Sequence, residues 1–128
     1  MNDVQFSSEI LARIQARCSA YDERAYLFVL ASIEFLQHHA EHRRHVSGEE
    51  LAWGCRDFAI HQFGPMARAV LEHWGVRRTE DFGRIVFTLV EVGLLVTQPG
   101  DREEDFASRF DFAEVFGDDH VWQGAAGR

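Results

Sequence analysis

Between residues 64 and 93 the chain is cut into short helical pieces by its own punctuation. Gly64-Pro65 stops one helix and starts another, because proline suits the first turn of a helix and removes a backbone donor elsewhere. Gly75 and Gly93 sit where a helix C-terminus wants a residue free to adopt positive φ. Between these stops, apolar residues recur at helical spacing: Met66, Ala69, Val70 and Trp74 in the first piece, and Phe82, Ile85, Val86, Leu89 and Val90 in the second. Thr79 reads as the N-cap of the second piece, with Glu80 and Asp81 in its first turn. A short helix, a tight turn and a longer helix are the skeleton of a helix-turn-helix.

The flanks extend this pattern. Ser7 or Ser8 caps a helix over 7–18 with Ile10, Leu11, Ile14 and Cys18 on one side. Asp22 caps the longest helix, 23–42, whose stripe is Tyr26, Val29, Ile33 and Leu36, widened by Phe28 and Phe35. The two are expected to pack as an antiparallel hairpin. Ser47-Gly48-Glu49-Glu50 is a capping box that opens a helix to about Phe63, with Leu51, Cys55, Phe58 and Ala59 facing inward. After Gly93 the pattern changes. Leu94-Leu95-Val96-Thr97 suits a strand, Gln98-Pro99-Gly100-Asp101 a turn, and Phe106, Phe110 and Phe112 a return strand, which together would form a wing. A closing turn over 112–116 is expected to fold back on the core, and 117–128 to be a flexible tail. The expected fold is mainly α with a small β-hairpin. It comprises one domain over 1–116, with an N-terminal helical hairpin (7–46) packed on a winged-helix-like unit (47–116).

Length and composition fit that reading. A chain of 128 residues that is 46% hydrophobic can bury a core, and 27% charge is ordinary for a globular domain. Two widely spaced cysteines match neither a zinc pattern nor a disulfide framework, so a reducing cytoplasm is expected. No membrane span and no secretory signal is visible, and no cofactor is expected. The net charge is -8, all the basic residues are arginine, and residues 94–128 hold eight acids against three arginines. Such a chain is repelled by phosphate backbones at long range.

The blocks HVSGEEL, FGPMARAVLEHWG and TEDFGRIVFTLVEVGLL, with FDF at 110–112, resemble a family of small bacterial proteins of the Minf_1886 type, found in planctomycete and verrucomicrobia-type lineages. The resemblance runs from about Tyr21 to Phe116 and implies no activity. The segment from Thr79 to Leu95 is in addition similar to the recognition helix and first wing strand of winged-helix proteins, which implies fold but not function.

Three functional readings follow. The preferred one is a non-catalytic, cytoplasmic adaptor or regulatory module that contacts a protein partner. Trp53, Arg56, Arg77, Arg78 and Arg84 would form its main surface, because aromatic and arginine side chains make interface hot spots. The acidic wing residues Asp101, Glu103, Glu104 and Asp105 would form a second surface for a basic partner. The alternative is a winged-helix DNA-binding regulator, with Arg77, Arg78 and Arg84 reaching the groove and a homodimer pooling these arginine faces. The acids at Glu80, Asp81 and the wing oppose phosphate there. A third reading is a metal site in the cluster His38, His39, His42 and His45, where a four-residue spacing puts two imidazoles on one helix face. Helix-end solvation, with imidazoles and arginines complementing the C-terminal dipole, explains that cluster better. Cys55 with His61, and Cys18 with His73, form no recognisable nucleophile and base set, and the glycines form no phosphate loop, so no enzyme is expected.

Overall fold

The computed structural model describes residues 7–39 and 46–116, and the chain is mainly helical. Helix α1 spans Ser8–Arg17, α2 Glu23–His39, α3 Gly48–Phe63, α4 Ala67–His73, α5 Thr79–Glu91 and α6 Phe112–Val115. Single 3-10 turns cover Gly64–Met66 and Glu103–Phe106. Among the described residues no helix is long and apolar enough to cross a membrane.

The caps that start α1, α2 and α3 are local and behave as their sequences require. Ser7 Oγ accepts the Ile10 N–H at 3.2 Å. Asp22 Oδ1 accepts the Arg24 N–H at 2.9 Å. At α3 the capping box closes both ways, with Glu50 N–H on Ser47 Oγ at 3.1 Å and Ser47 N–H on Glu50 Oε1 at 3.0 Å. Gly75, at φ 98°, turns the chain out of α4, where the Val76 N–H bonds back to the Leu71 carbonyl at 2.9 Å.

Helix α5 is the centre of the molecule. It buries Thr79, Asp81, Phe82, Gly83, Ile85, Val86, Thr88 and Leu89. Helices α1, α2 and α3 and the 103–106 turn all pack on it. Helix α2 lies mainly along α3, where Gly54 permits close approach, since a Cβ at that position would fall 2.4 Å from Leu36 Cδ1. The expected N-terminal hairpin is therefore arranged differently. The main packing of α1 is on α5, and that of α2 is on α3 and α5.

Two expectations about the middle and end of the chain are corrected. First, Pro65 opens a 3-10 turn rather than α4 itself. The tighter winding rotates the inward face of α4, so Ala67 and Leu71 are buried while Met66 is 57% exposed and Ala69 lies outside. Second, no strand forms among the described residues, and the wing is absent. Its acids act as local caps that wind the chain into turns. Asp101 Oδ2 accepts the Gln98 N–H at 2.8 Å, Asp105 Oδ2 the Arg102 N–H at 3.0 Å, and Asp111 Oδ1 the Ala113 N–H at 2.7 Å. Phe106 enters the core between α3 and α5. Phe110, Phe112 and Phe116 form a ring cluster instead of a strand face, with Phe112 and Phe116 5.0 Å apart and Phe82 6.0 Å from Phe112. The closing turn at 112–116 does fold back, burying Phe112 and Phe116.

Candidate interaction site

The turn between α4 and α5 is organised by one buried carboxylate. Asp81, 8% exposed, accepts the Tyr21 hydroxyl at 2.6 Å on Oδ1. On Oδ2 it accepts the backbone N–H groups of Arg77 at 2.8 Å and Arg78 at 3.1 Å. Burial pushes the Tyr21 phenol above its ordinary pKa, and the Asp81 hydrogen bond adds to this, so Tyr21 stays a neutral donor. Asp81 thus works as a reverse cap from the first turn of α5, holding residues 77 and 78 by their main chain while both side chains remain exposed. Thr79, expected as the cap, is instead a fully buried helical residue whose Oγ1 accepts the Arg109 N–H at 3.1 Å.

This bond draws the 108–114 segment alongside the turn and creates an open groove of about 820 Å³. Four guanidinium groups line it: Arg77 and Arg78 from the turn, Arg68 from α4 and Arg109 from beyond the second 3-10 turn. Glu80, Asp111 and Glu114 line it too. Arg68 is held by Glu72 at 2.9 Å, and Arg109 Nη1 lies 3.4 Å from Glu49. Arg109 Nε is buried and has no acceptor among the described residues. Arg77 and Arg78 form no ion pair with another described residue, which leaves their donors open to a ligand.

The other expected site residues separate into three places. Trp53 is half-buried, with its ring centroid 4.7 Å from that of Phe110 and the Arg56 guanidinium carbon 4.7 Å from its own centroid. Arg56 is also tied to its neighbour Asp57 at 2.6 Å. Because Phe110 lines the arginine groove, Trp53 and Arg56 lie at its border. Arg84 does not join the groove lining. Its guanidinium sits 5.7 Å from the Tyr21 ring centroid, with Nη2 3.6 Å from Cys18 Sγ. Asp101 and Asp105 border a separate apolar cavity between α2, α3 and α5, and Glu103 and Glu104 are exposed beside it.

Arg68 and Arg109 were not recognised from the sequence. Arg68 sits one position from the expected inward stripe of α4, and Arg109 within an expected strand, so neither had a local pattern pointing to the turn. Cys55 is fully buried, and burial pushes its thiol up to about 12, so it is a core group. Of the histidine cluster, the side chains of His39, His42 and His45 lie outside the described residues. Among those described, no group of three or more His, Cys, Asp or Glu is placed to hold a metal ion. Comparison with family models, with curated proteins and with solved structures finds no match to this chain.

Proposed function

We propose that this chain is a non-catalytic, cytoplasmic interaction module that receives an acidic segment of a protein partner in the arginine groove. The observation that carries this reading is the position of Arg77 and Arg78. They are exposed and unpaired within the described residues, and they are brought beside Arg68 and Arg109 on a chain whose net charge is -8. Planar guanidinium groups suit bidentate capture of carboxylates. The Trp53–Phe110 pair with Arg56 at the border supplies aromatic surface of the kind that anchors interfaces. In this reading α3, α4 and α5 keep the order of a helix-turn-helix unit but lack its wing.

Direct DNA reading has less support. A recognition helix needs a free outer face, whereas α5 is packed by four other elements and exposes chiefly Arg84 and Glu91.

The test is affinity capture from native lysate, with and without nuclease, comparing the natural chain with the Arg77→Glu/Arg78→Glu variant. The expected result is a nuclease-resistant, near-stoichiometric protein whose recovered complex weakens about tenfold or more in the variant. Recovery that vanishes with nuclease, or a partner indifferent to both charge reversals, refutes the proposal.

A further inference from the structure

Residues 94–97 lie away from the arginine groove and have an unusual combination of properties. Leu94-Leu95-Val96-Thr97 is strand-forming in composition, yet no strand pairs with it among the described residues. The segment is fastened at both ends. Leu94 N–H bonds to the Leu89 carbonyl at 2.9 Å, and at the other end Gln98 and Asp101 close a turn on each other. Between these anchors, the main-chain N–H and C=O groups of Leu95, Val96 and Thr97 bond to no described residue. Their exposure alternates as in a strand: Leu95 and Thr97 are half-buried, and Val96 is 83% exposed. An anchored run of open backbone groups beside an exposed apolar side chain is what a sheet edge presents to an incoming chain.

A second observation lies directly beneath. The segment borders a cavity of about 90 Å³ walled by Ile33, Leu51, Val86, Val90 and Phe106 among others. A cavity of about 150 Å³ accommodates benzene, so this smaller one suits a single aliphatic side chain. Its polar border carries Asp105, with Glu103 and Glu104 exposed beside it and Arg102 among these described residues. A second copy of this chain would bring the same acids against these, whereas a basic partner would be complementary.

We propose that residues 95–97 form a docking edge for an extended, arginine- or lysine-bearing segment of a protein partner. Its main chain adds along the edge, and one aliphatic side chain enters the cavity. The proposal is independent of the arginine groove.

The probe is the capped heptapeptide Arg-Val-Arg-Leu-Arg-Val-Arg, titrated into the full chain and followed by amide hydrogen exchange and two-dimensional NMR. Alternate residues of an extended segment turn their N–H groups to opposite edges, so bound peptide is expected to slow exchange at Val96 by about tenfold or more, and less at Leu95 and Thr97. Val96→Pro removes a main-chain donor at an exposed position. It is expected to weaken binding about tenfold, as are alanine in place of the central leucine of the peptide and Val90→Phe, which fills the cavity. Arg77→Glu/Arg78→Glu is expected to leave this binding in place. Absence of binding at millimolar peptide overturns the proposal. So does binding that leaves the Val96 amide unprotected, or equal binding by Val96→Pro. Protection that grows with protein concentration without peptide also overturns it, by making a second copy the occupant.

Discussion

Removing the Asp81 carboxylate is expected to loosen the α4–α5 turn and the α1–α2 connection together, because its three hydrogen bonds join them. A hydrogen bond to a charged group contributes about 1.5–3 kcal/mol, and a buried donor left unsatisfied costs about 1–3 kcal/mol. The Tyr21–Asp81 bond is buried, so truncation at Asp81 leaves the phenol without its acceptor. The Arg77 and Arg78 N–H groups are only partly buried and can turn to water, so they lose less. Asp81→Ala should therefore cost about 3–4 kcal/mol, a large share of the about 5–15 kcal/mol typical of a domain. Tyr21→Phe, which keeps the ring and removes one bond, should cost about 1–2 kcal/mol. The two changes act on the same bond, so a double-mutant cycle by urea denaturation should show coupling of about 1–2 kcal/mol. For a chain of this size, Asp81→Ala should lower Tm by roughly 10–15 °C. A loss below about 1 kcal/mol in Asp81→Ala, or coupling indistinguishable from zero, would refute the argument that this carboxylate is the organiser of the turn.

Three further outcomes can be checked independently. Gly83→Ala should destabilise the chain by about 1–3 kcal/mol, because the new Cβ would lie 3.1 Å from the Glu103 carbonyl oxygen and from Phe106. A calorimetric Tm unchanged from the natural chain would show that the 103–106 turn is not seated on α5. In thiol-labelling kinetics at neutral pH, half-buried Cys18 should react while Cys55, buried and with its thiol pushed up to about 12, reacts only on unfolding. Equal rates would contradict that burial. The Asp22 carboxyl is held below its ordinary 3.8, first by the hydrogen bond from the Arg24 side chain. Its stabilising effect is therefore present above that value and is lost as pH falls through the depressed one. Asp22→Asn should flatten the acid limb of a stability-versus-pH curve slightly, the pair being largely exposed. A steeper acid limb in the variant would reverse the assigned sign.

The caps of α1, α2 and α3 and the stripe of α5 could be read because they are local. Ser7, Asp22 and the Ser47–Glu50 box act within three residues, and Phe82, Ile85, Val86 and Leu89 mark one face by period alone. The candidate site was legible only in part. Arg77 and Arg78 stood out as charges at a turn, but Arg68 and Arg109 reach them through the shift of α4 after its 3-10 turn and through the Thr79–Arg109 bond. The second of these spans 30 residues of sequence. Asp81, expected in the first turn as an acid opposing phosphate, is buried for the same reason. Its partner Tyr21 lies 60 residues away, and nothing near Asp81 announces a buried acceptor.

Residues 94–116 mark the boundary between the two kinds of information. Leu94–Thr97 and Phe106, Phe110 and Phe112 have the composition of strands, and strand propensity depends on a neighbour to pair with. By itself, the sequence determined where α1, α2 and α3 start, that the chain is mainly α, and that its last third is acidic. Only the tertiary structure decided that α5 would be enclosed by four elements, that Phe106 would be buried between α3 and α5, and that the acids would cap turns rather than decorate a wing. Capping and periodicity are set within a turn or two of helix. The fate of an apolar segment is set by whichever exposed core surface it covers at the greatest gain in buried area.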